Sequence, residues 1–126
     1  MTSVELVIGT MLVRPDGFAD ARASGVDIPT GYELRVEYRG RTFDGDDVER
    51  YAISDGFRRC MGRRGQWQYE SGPSSRTDRF KRAYRFPYDE ALTLAMKHVN
   101  RHRAFNRLTF AEFLDWHTER VKQSSS

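Results

Sequence analysis

The sequence has a single cysteine and no long apolar run, and each of these shortages excludes a class of protein. Cys60 is the single cysteine among 126 residues, so no internal disulfide and no thiolate zinc site can form within one chain. The apolar run at residues 4–13 is too short to span a bilayer, and no basic segment precedes it. These shortages predict a cytoplasmic protein without a membrane anchor.

Motifs that would indicate an enzyme or a repeat protein are also absent from the sequence. No internal repeat occurs, and no glycine-rich phosphate loop is present. Ser54, Asp55 and Gly56 form a turn sequence and lack the glycine-flanked elbow of a serine nucleophile. We therefore expect no cofactor. The length of 126 residues predicts a single domain over residues 1–123, with a flexible serine tail at 124–126.

Arginine is abundant and unevenly distributed. The chain has 18 arginines against three lysines, and its formal net charge of +3 hides a marked polarity. Residues 1–56 carry six basic and eleven acidic side chains, whereas residues 57–85 carry nine basic and two acidic ones. A GC-rich genome would favour arginine codons, but guanidinium groups also suit bidentate contacts to phosphate. The middle of the chain is therefore predicted to attract anions.

Alternating and apolar segments predict a mainly antiparallel sheet. Tyr32, Leu34, Val36 and Tyr38 alternate with charged residues, which is typical of a strand with one buried face. Turn sequences at Asp44-Gly45, Asp55-Gly56 and 62–65 separate the segments that follow. We predict one strand buried on both faces at 4–13, a loop at 18–31, and further strands at about 32–43, 48–54, 57–61, 66–70 and, after a polar loop at 71–79, 83–86.

The last third of the chain changes to a helical period. Leu92, Ala95 and Val99 share one face of a helix predicted at about 88–102. Thr109 and Glu112 spell a capping box, which predicts a second helix to about residue 122. Strands followed by helices indicate an α+β domain, a β-meander of five to six strands with two C-terminal helices packed on one face.

The strongest candidate site is an arginine-rich hairpin at residues 57–69. Glycines at 62 and 65 would place Arg63 and Arg64 at an exposed tip, where they could contact phosphates while an aromatic ring stacks on a base. We predict a non-enzymatic protein that binds nucleic acid or another polyanion. The candidate residues are Arg58, Arg59, Arg63, Arg64, Trp67, Tyr69, Arg76, Arg79, Lys81, Arg82 and Arg85.

Three alternatives stay open. The hairpin could be a solvated structural element, with its aromatics in the core and its arginines paired with the acidic N-terminal block. The chain could be an inhibitor or adaptor of phage or mobile-element origin that binds an acidic surface of a host protein. It could also be a metal-free ribonuclease, in which His98 and His102 act as acid and base while Arg101 and Arg103 hold the phosphate. The two histidines lack a third ligand, so no metal site is predicted.

Overall fold

A computed structural model describes residues 2–7, 9–41, 48–70, 72 and 77–125 of the chain. Within these residues, six strands form one antiparallel sheet in which each strand pairs with the next along the chain. The α+β class and the antiparallel meander are confirmed. The predicted turn at Asp44-Gly45 lies outside the described residues. The strands are β1 Ser3–Val7, β2 Thr10–Arg14, β3 Leu34–Arg41, β4 Glu49–Ser54, β5 Arg59–Met61 and β6 Trp67–Tyr69.

Four α-helices accompany the sheet in the described part of the chain: α1 Phe18–Ala23, α2 Asp78–Tyr84, α3 Tyr88–His98 and α4 Phe110–Ser125. The capping box at the start of α4 is confirmed. The Thr109 hydroxyl accepts a hydrogen bond from the Glu112 amide (3.2 Å), and the Glu112 carboxylate accepts one from the Thr109 amide (2.9 Å). α4 continues through Ser124 and Ser125, which the sequence assigned to the tail; Ser126 lies outside the described residues.

The apolar run at residues 4–13 forms a hairpin, so the prediction of one strand buried on both faces is wrong. Gly9 has a φ of 77°, a conformation that glycine adopts without strain, and the chain reverses there between β1 and β2. Val13 is fully buried, whereas Val4 on β1 is 37% exposed. The apolar run therefore supplies one core strand and one edge strand.

A helix occupies part of the segment that was predicted to be a loop at 18–31. α1 begins after Gly17, which has a φ of 81°. Phe18 and Ala21 are one turn apart and are both buried. This short amphipathic pattern was too brief to stand out in the sequence, and tertiary packing stabilises it.

The prediction of a strand at 83–86 is also wrong. α2 extends to Tyr84, and only Phe86 pairs with a strand, through a single bridge to Tyr51. The Thr77 hydroxyl accepts a hydrogen bond from the Phe80 amide (3.1 Å) and so caps α2 within the predicted polar loop.

α3 ends at His98, four residues before its predicted end. Asn100 leaves the helix and pairs with Asp16, whose amide donates to the Asn100 side-chain oxygen (2.8 Å) while the Asn100 amide donates to the Asp16 carboxylate (3.2 Å). The Arg101 amide then donates to the His98 carbonyl (3.0 Å) in a turn. As a result, His102 lies beyond the helix.

Two apolar clusters form the core within the described ranges. The first lies between the sheet and α3, where Ala91, Ala95 and Val99 pack against residues that include Leu34 and Ile53. The second joins α1 to α4 and contains Phe18, Ala21, Tyr32, Phe110 and Phe113. The Tyr32 hydroxyl donates to the Leu108 carbonyl (2.9 Å), which ties the start of β3 to the segment between α3 and α4.

None of the described helices could cross a membrane. The longest, α4, has 16 residues, and no helix within the described ranges is long and apolar enough to do so. A membrane-spanning helix needs about 20 predominantly apolar residues.

Candidate functional site

The predicted arginine hairpin exists and consists of β5, β6 and a tight turn. Arg59 is opposite Tyr69 and Met61 is opposite Trp67. The Gly62 amide donates to the Gln66 carbonyl (2.9 Å), and Gly65 has the positive φ of 81° that the turn requires. Arg63 and Arg64 consequently lie at an exposed tip.

The arginines around this tip have different surroundings. Arg63 donates to the Glu90 carboxylate on α3 (2.6 Å), and its guanidinium lies 5.0 Å from the centre of the Phe86 ring. Arg58 and Arg64 are exposed and form no ion pair with a carboxylate in the described part of the chain. Arg63 therefore fastens the hairpin to α3, while Arg58 and Arg64 remain available to a ligand.

Arg59 is held by a buried carboxylate. Its guanidinium contacts Asp55 at 2.5 and 2.7 Å, and the Asp55 side chain is fully buried. The other Asp55 oxygen accepts a hydrogen bond from the Phe57 amide (2.8 Å). Arg59 also lies 5.4 Å from the Trp67 ring. These contacts fix the orientation of Arg59 while its side chain stays 45% exposed.

Arg85 belongs to a buried ionic cluster on the other side of the sheet. It donates to Glu70 (2.5 Å), which also accepts from Arg39 (3.0 Å), and the Arg85 and Glu70 side chains are 5% and 8% exposed. Burial alone would raise the pKa of Glu70, but Arg39 and Arg85 outweigh it and lower that pKa to about 2. Arg85 therefore stabilises the fold and offers little surface to a ligand.

Cys60 lies beside this cluster and is buried. Burial, together with the negative charge of Glu70, raises the pKa of the Cys60 thiol to about 12. The thiol is therefore protonated and unreactive at neutral pH.

Three of the remaining predicted cations lie on a helix and not on the hairpin. Arg79, Lys81 and Arg82 lie on α2, and Arg76 lies outside the described residues. α2 is linked to the Glu70 cluster because Arg85 lies 5.4 Å from the Phe80 ring. Glu70 and Trp67 differ in parity along an extended strand, so they point to opposite sides of the sheet. The predicted cations are therefore divided between the hairpin and α2.

The two predicted aromatic residues also differ. Trp67 is half-buried, packs against the first core cluster and lies 4.9 Å from the His102 ring. Tyr69 is 57% exposed. Trp67 thus has less free surface for stacking than Tyr69, or than Phe57, which is 54% exposed.

A cleft lies between the hairpin, the turn after β4 and the segment that follows α3; we call it the arginine cleft. It has two adjoining lobes of about 250 and 340 Å³ that share Arg59, His102 and Arg103. Arg101 lines the first lobe and Arg107 the second. The described residues that line one lobe or the other include four arginines and one carboxylate, that of Asp55.

The arginines of the cleft are unequally neutralised. Arg103 donates to Glu112 (2.8 Å) and to the Arg107 carbonyl (2.9 Å), with 56% of its side chain exposed. Arg101 is exposed and forms no ion pair with a described carboxylate. The cleft therefore retains an excess of positive charge.

Two imidazoles, from His98 and His102, complete the first lobe. The Nε2 atoms of both rings are buried and have no hydrogen-bond partner among the described residues. Burial lowers the pKa of His98, and Lys97 and Arg101 lower it further. Burial also lowers the pKa of His102, where Asp55 acts in the opposite direction and Arg59 in the same one. Both rings are therefore neutral at neutral pH, each with an unused nitrogen.

The main chain acts on both rings in the opposite direction to burial. Arg63 raises the pKa of His98 and Gly31 raises that of His102, but burial outweighs both effects. The two Nε2 atoms are left buried and without a partner among the described residues.

Only part of this site was predicted. Arg59 and Trp67 belong to the cleft, whereas Phe57 and Arg107 were not named as candidates. Arg101 and Arg103 were considered only with the two histidines, on the assumption that α3 continued to residue 102. The signal that could have revealed them is the basic run from Arg101 to Arg107, just after a helix.

Comparisons with known proteins identify no relative. No family model matches the chain, and no curated protein or solved structure matches it.

Proposed function

We propose that this protein binds single-stranded nucleic acid, with phosphates held in the arginine cleft. The observation that carries the proposal is the convergence of four arginines on one cleft, whose described lining includes a single carboxylate that Arg59 already neutralises. A concave surface with an excess of one charge concentrates ligands of the opposite charge. Exposed guanidiniums such as Arg101 can make the bidentate contacts that phosphate oxygens accept.

The shape of the cleft favours a single strand over a duplex. Proteins that bind single strands combine a basic groove with aromatic rings on which bases stack. The exposed Phe57 ring lines the second lobe beside Arg103 and Arg107, so a phosphate and its base could occupy neighbouring positions. Arg58 and Arg64 extend the positive surface along the hairpin. Double-stranded DNA is instead read by elements that protrude into a groove.

The test is the salt dependence of binding to a short labelled oligonucleotide, measured by fluorescence anisotropy. Arg101→Gln with Arg103→Gln should weaken binding and reduce the slope of log affinity against log salt by about 0.7 for each lost phosphate contact. The matched control is Arg79→Gln with Arg82→Gln, which removes the same charge from α2 and should change the slope much less, because it alters only the long-range attraction.

Two outcomes would contradict the proposal. If wild-type protein binds no oligonucleotide at low salt, the cleft does not serve nucleic acid, and a protein ligand becomes the better explanation of its charge. If the α2 variant loses as much affinity as the cleft variant, binding depends on the overall charge and the cleft is not the site.

A further inference from the structure

We propose that the second lobe of the arginine cleft binds a nucleotide with a phosphate on each side of its ribose, the base stacking on Phe57 and the two phosphates contacting Arg58 and Arg107. This inference rests on the proposed binding of single-stranded nucleic acid and specifies which part of the strand the lobe holds. The ligand is an internal nucleotide of a strand, and a nucleoside 3′,5′-bisphosphate is its smallest equivalent.

Both arginines are held in a backbone conformation that most side chains disfavour. Among the described residues, the non-glycine residues with a left-handed backbone are Arg58 (φ 62°), Asn106 (φ 51°) and Arg107 (φ 60°). Asparagine adopts this conformation more readily than arginine does. Such strain persists only where the surrounding structure enforces it, and it concentrates at sites that bind ligands. The two arginines therefore occupy positions where glycine would fold more easily.

Main-chain hydrogen bonds fix both strained turns. The Arg58 carbonyl accepts a hydrogen bond from the Glu70 amide (2.7 Å). The Arg107 amide donates to the Ala104 carbonyl (3.1 Å), and the Arg107 carbonyl accepts from the Arg103 guanidinium (2.9 Å). Both strained side chains are exposed, and neither forms an ion pair with a carboxylate in the described part of the chain. Each turn thus holds its backbone in place and leaves a guanidinium to a ligand.

The ring of Phe57 packs against the turn that contains Arg107. Ala104 begins that turn. Gly31 has a φ of 112°, and a Cβ atom added there would lie 3.3 Å from Cε2 of Phe57 and 3.1 Å from Cβ of Ala104. Glycine at position 31 therefore allows the ring and the turn to approach each other. Phe57 is still 54% exposed, so the ring is held in place and keeps a free surface.

This arrangement suits a nucleotide with phosphates on both sides of its ribose. Arg58 lies between Phe57 and Arg59 in the chain, both of which line the second lobe, and Arg107 lines it directly. A base stacked on Phe57 has one phosphate on the 5′ side of its ribose and one on the 3′ side, and two guanidiniums from different turns can each contact one of them. The lobe has a volume of about 340 Å³, which is in the range of sites for small ligands.

Substitution by glycine distinguishes phosphate-binding residues from structural ones. Arg58→Gly and Arg107→Gly each relieve the strain and remove a guanidinium. We expect each variant to raise the midpoint of urea unfolding by about 0.3 M and to weaken binding of a labelled single-stranded oligonucleotide about 10-fold. The matched control, Asn106→Gly, changes a left-handed residue in the same turn as Arg107 and should leave affinity unchanged. A damaged fold would lower both quantities, so a gain in stability with a loss of affinity cannot arise from misfolding.

Competition with small nucleotides tests where the two phosphates bind. A nucleoside 3′,5′-bisphosphate should displace the oligonucleotide from wild-type protein about 10-fold more strongly than the 5′-diphosphate of the same nucleoside, which carries both phosphates on one side. This advantage should disappear in Arg58→Gly and in Arg107→Gly. Fluorescence anisotropy measures the displacement for all three proteins.

The outcomes distinguish this inference from the proposed function. If wild-type protein binds the oligonucleotide and both glycine variants keep full affinity, the strained arginines do not contact phosphate, and the binding function stands. Equal displacement by the bisphosphate and the diphosphate would also overturn the inference. A lower urea midpoint in both glycine variants would show that arginine is not strained at these positions and would overturn it as well. Failure of wild-type protein to bind any oligonucleotide would overturn both proposals.

Discussion

At the scale of single residues, the partner of each arginine decides whether it holds the fold or faces a ligand. Arg85 is buried against Glu70, whereas Arg101 is exposed and has no described carboxylate beside it. A guanidinium is charged in either setting, so composition predicts the amount of positive charge and not its use. The expectation that the central arginines act together was therefore beyond what the sequence could establish.

The buried cluster leads to a prediction about stability. Glu70→Gln removes the carboxylate that neutralises Arg39 and Arg85, and Arg85 is left buried without its ion pair. We expect a loss of about 3–5 kcal/mol in the free energy of unfolding, measured with urea at neutral pH. The matched control is Glu90→Gln, which breaks the exposed pair with Arg63 and should cost at most about 1 kcal/mol.

The pH dependence of unfolding of wild type and of Glu70→Gln tests whether the carboxylate charge causes this loss of stability. The pKa of Glu70 is lowered from 4.5 to about 2 in the folded protein, so its ionised form stabilises the fold above pH 4.5. That contribution is lost as the pH falls from 4.5 towards 2. The difference between wild type and Glu70→Gln should shrink over this interval. A difference that stays constant would show that the carboxylate charge is not its origin.

At the scale of elements, local signals predicted the hairpin and the start of α4, but not the end of α3. Glycine spacing sets the turn between β5 and β6, and Thr109 with Glu112 sets the helix start. Both depend on neighbouring residues. The end of α3 depends on Asn100 pairing with Asp16, 84 positions earlier, which no local pattern reveals.

The contact between the hairpin turn and α3 can be tested at Gly65. A Cβ atom there would lie 2.9 Å from Nδ1 of His98, and the φ of 81° already disfavours alanine. We expect Gly65→Ala to lower both stability and oligonucleotide affinity, because the ring of His98 must move. The control is Gly25→Ala, which has a φ of 83° and no atom within 4 Å of the added carbon.

The control should lose only the strain of a left-handed backbone, about 1–2 kcal/mol. Urea unfolding and anisotropy measure the two quantities for both variants. If Gly65→Ala and Gly25→Ala lose equal stability and both keep full affinity, then the turn does not position His98 in the cleft.

At the scale of the whole molecule, the cleft depends on residues that are distant in the sequence. Thr30 and Gly31, the turn after β4 and the segment after α3 meet only because the two core clusters bring them together. The division of the sequence into acidic and basic blocks predicts how much charge each block carries, but not which charged residues meet in the fold. Asp55, which belongs to the acidic block at residues 1–56, neutralises Arg59. Glu90, which neutralises Arg63, lies outside that block.

Charge reversal tests whether position or net charge governs binding. Arg101→Glu with Arg103→Glu, and Arg79→Glu with Arg82→Glu, each change the formal net charge from +3 to −1. Long-range attraction responds to overall charge, whereas direct phosphate contacts respond to place. If the cleft is the site, the first variant should lose nearly all binding to single-stranded oligonucleotide, and the second should lose mainly association rate at low salt. Stopped-flow kinetics at two salt concentrations separate these effects. If both variants show the same increase in dissociation rate and the same loss of affinity, the ligand binds elsewhere.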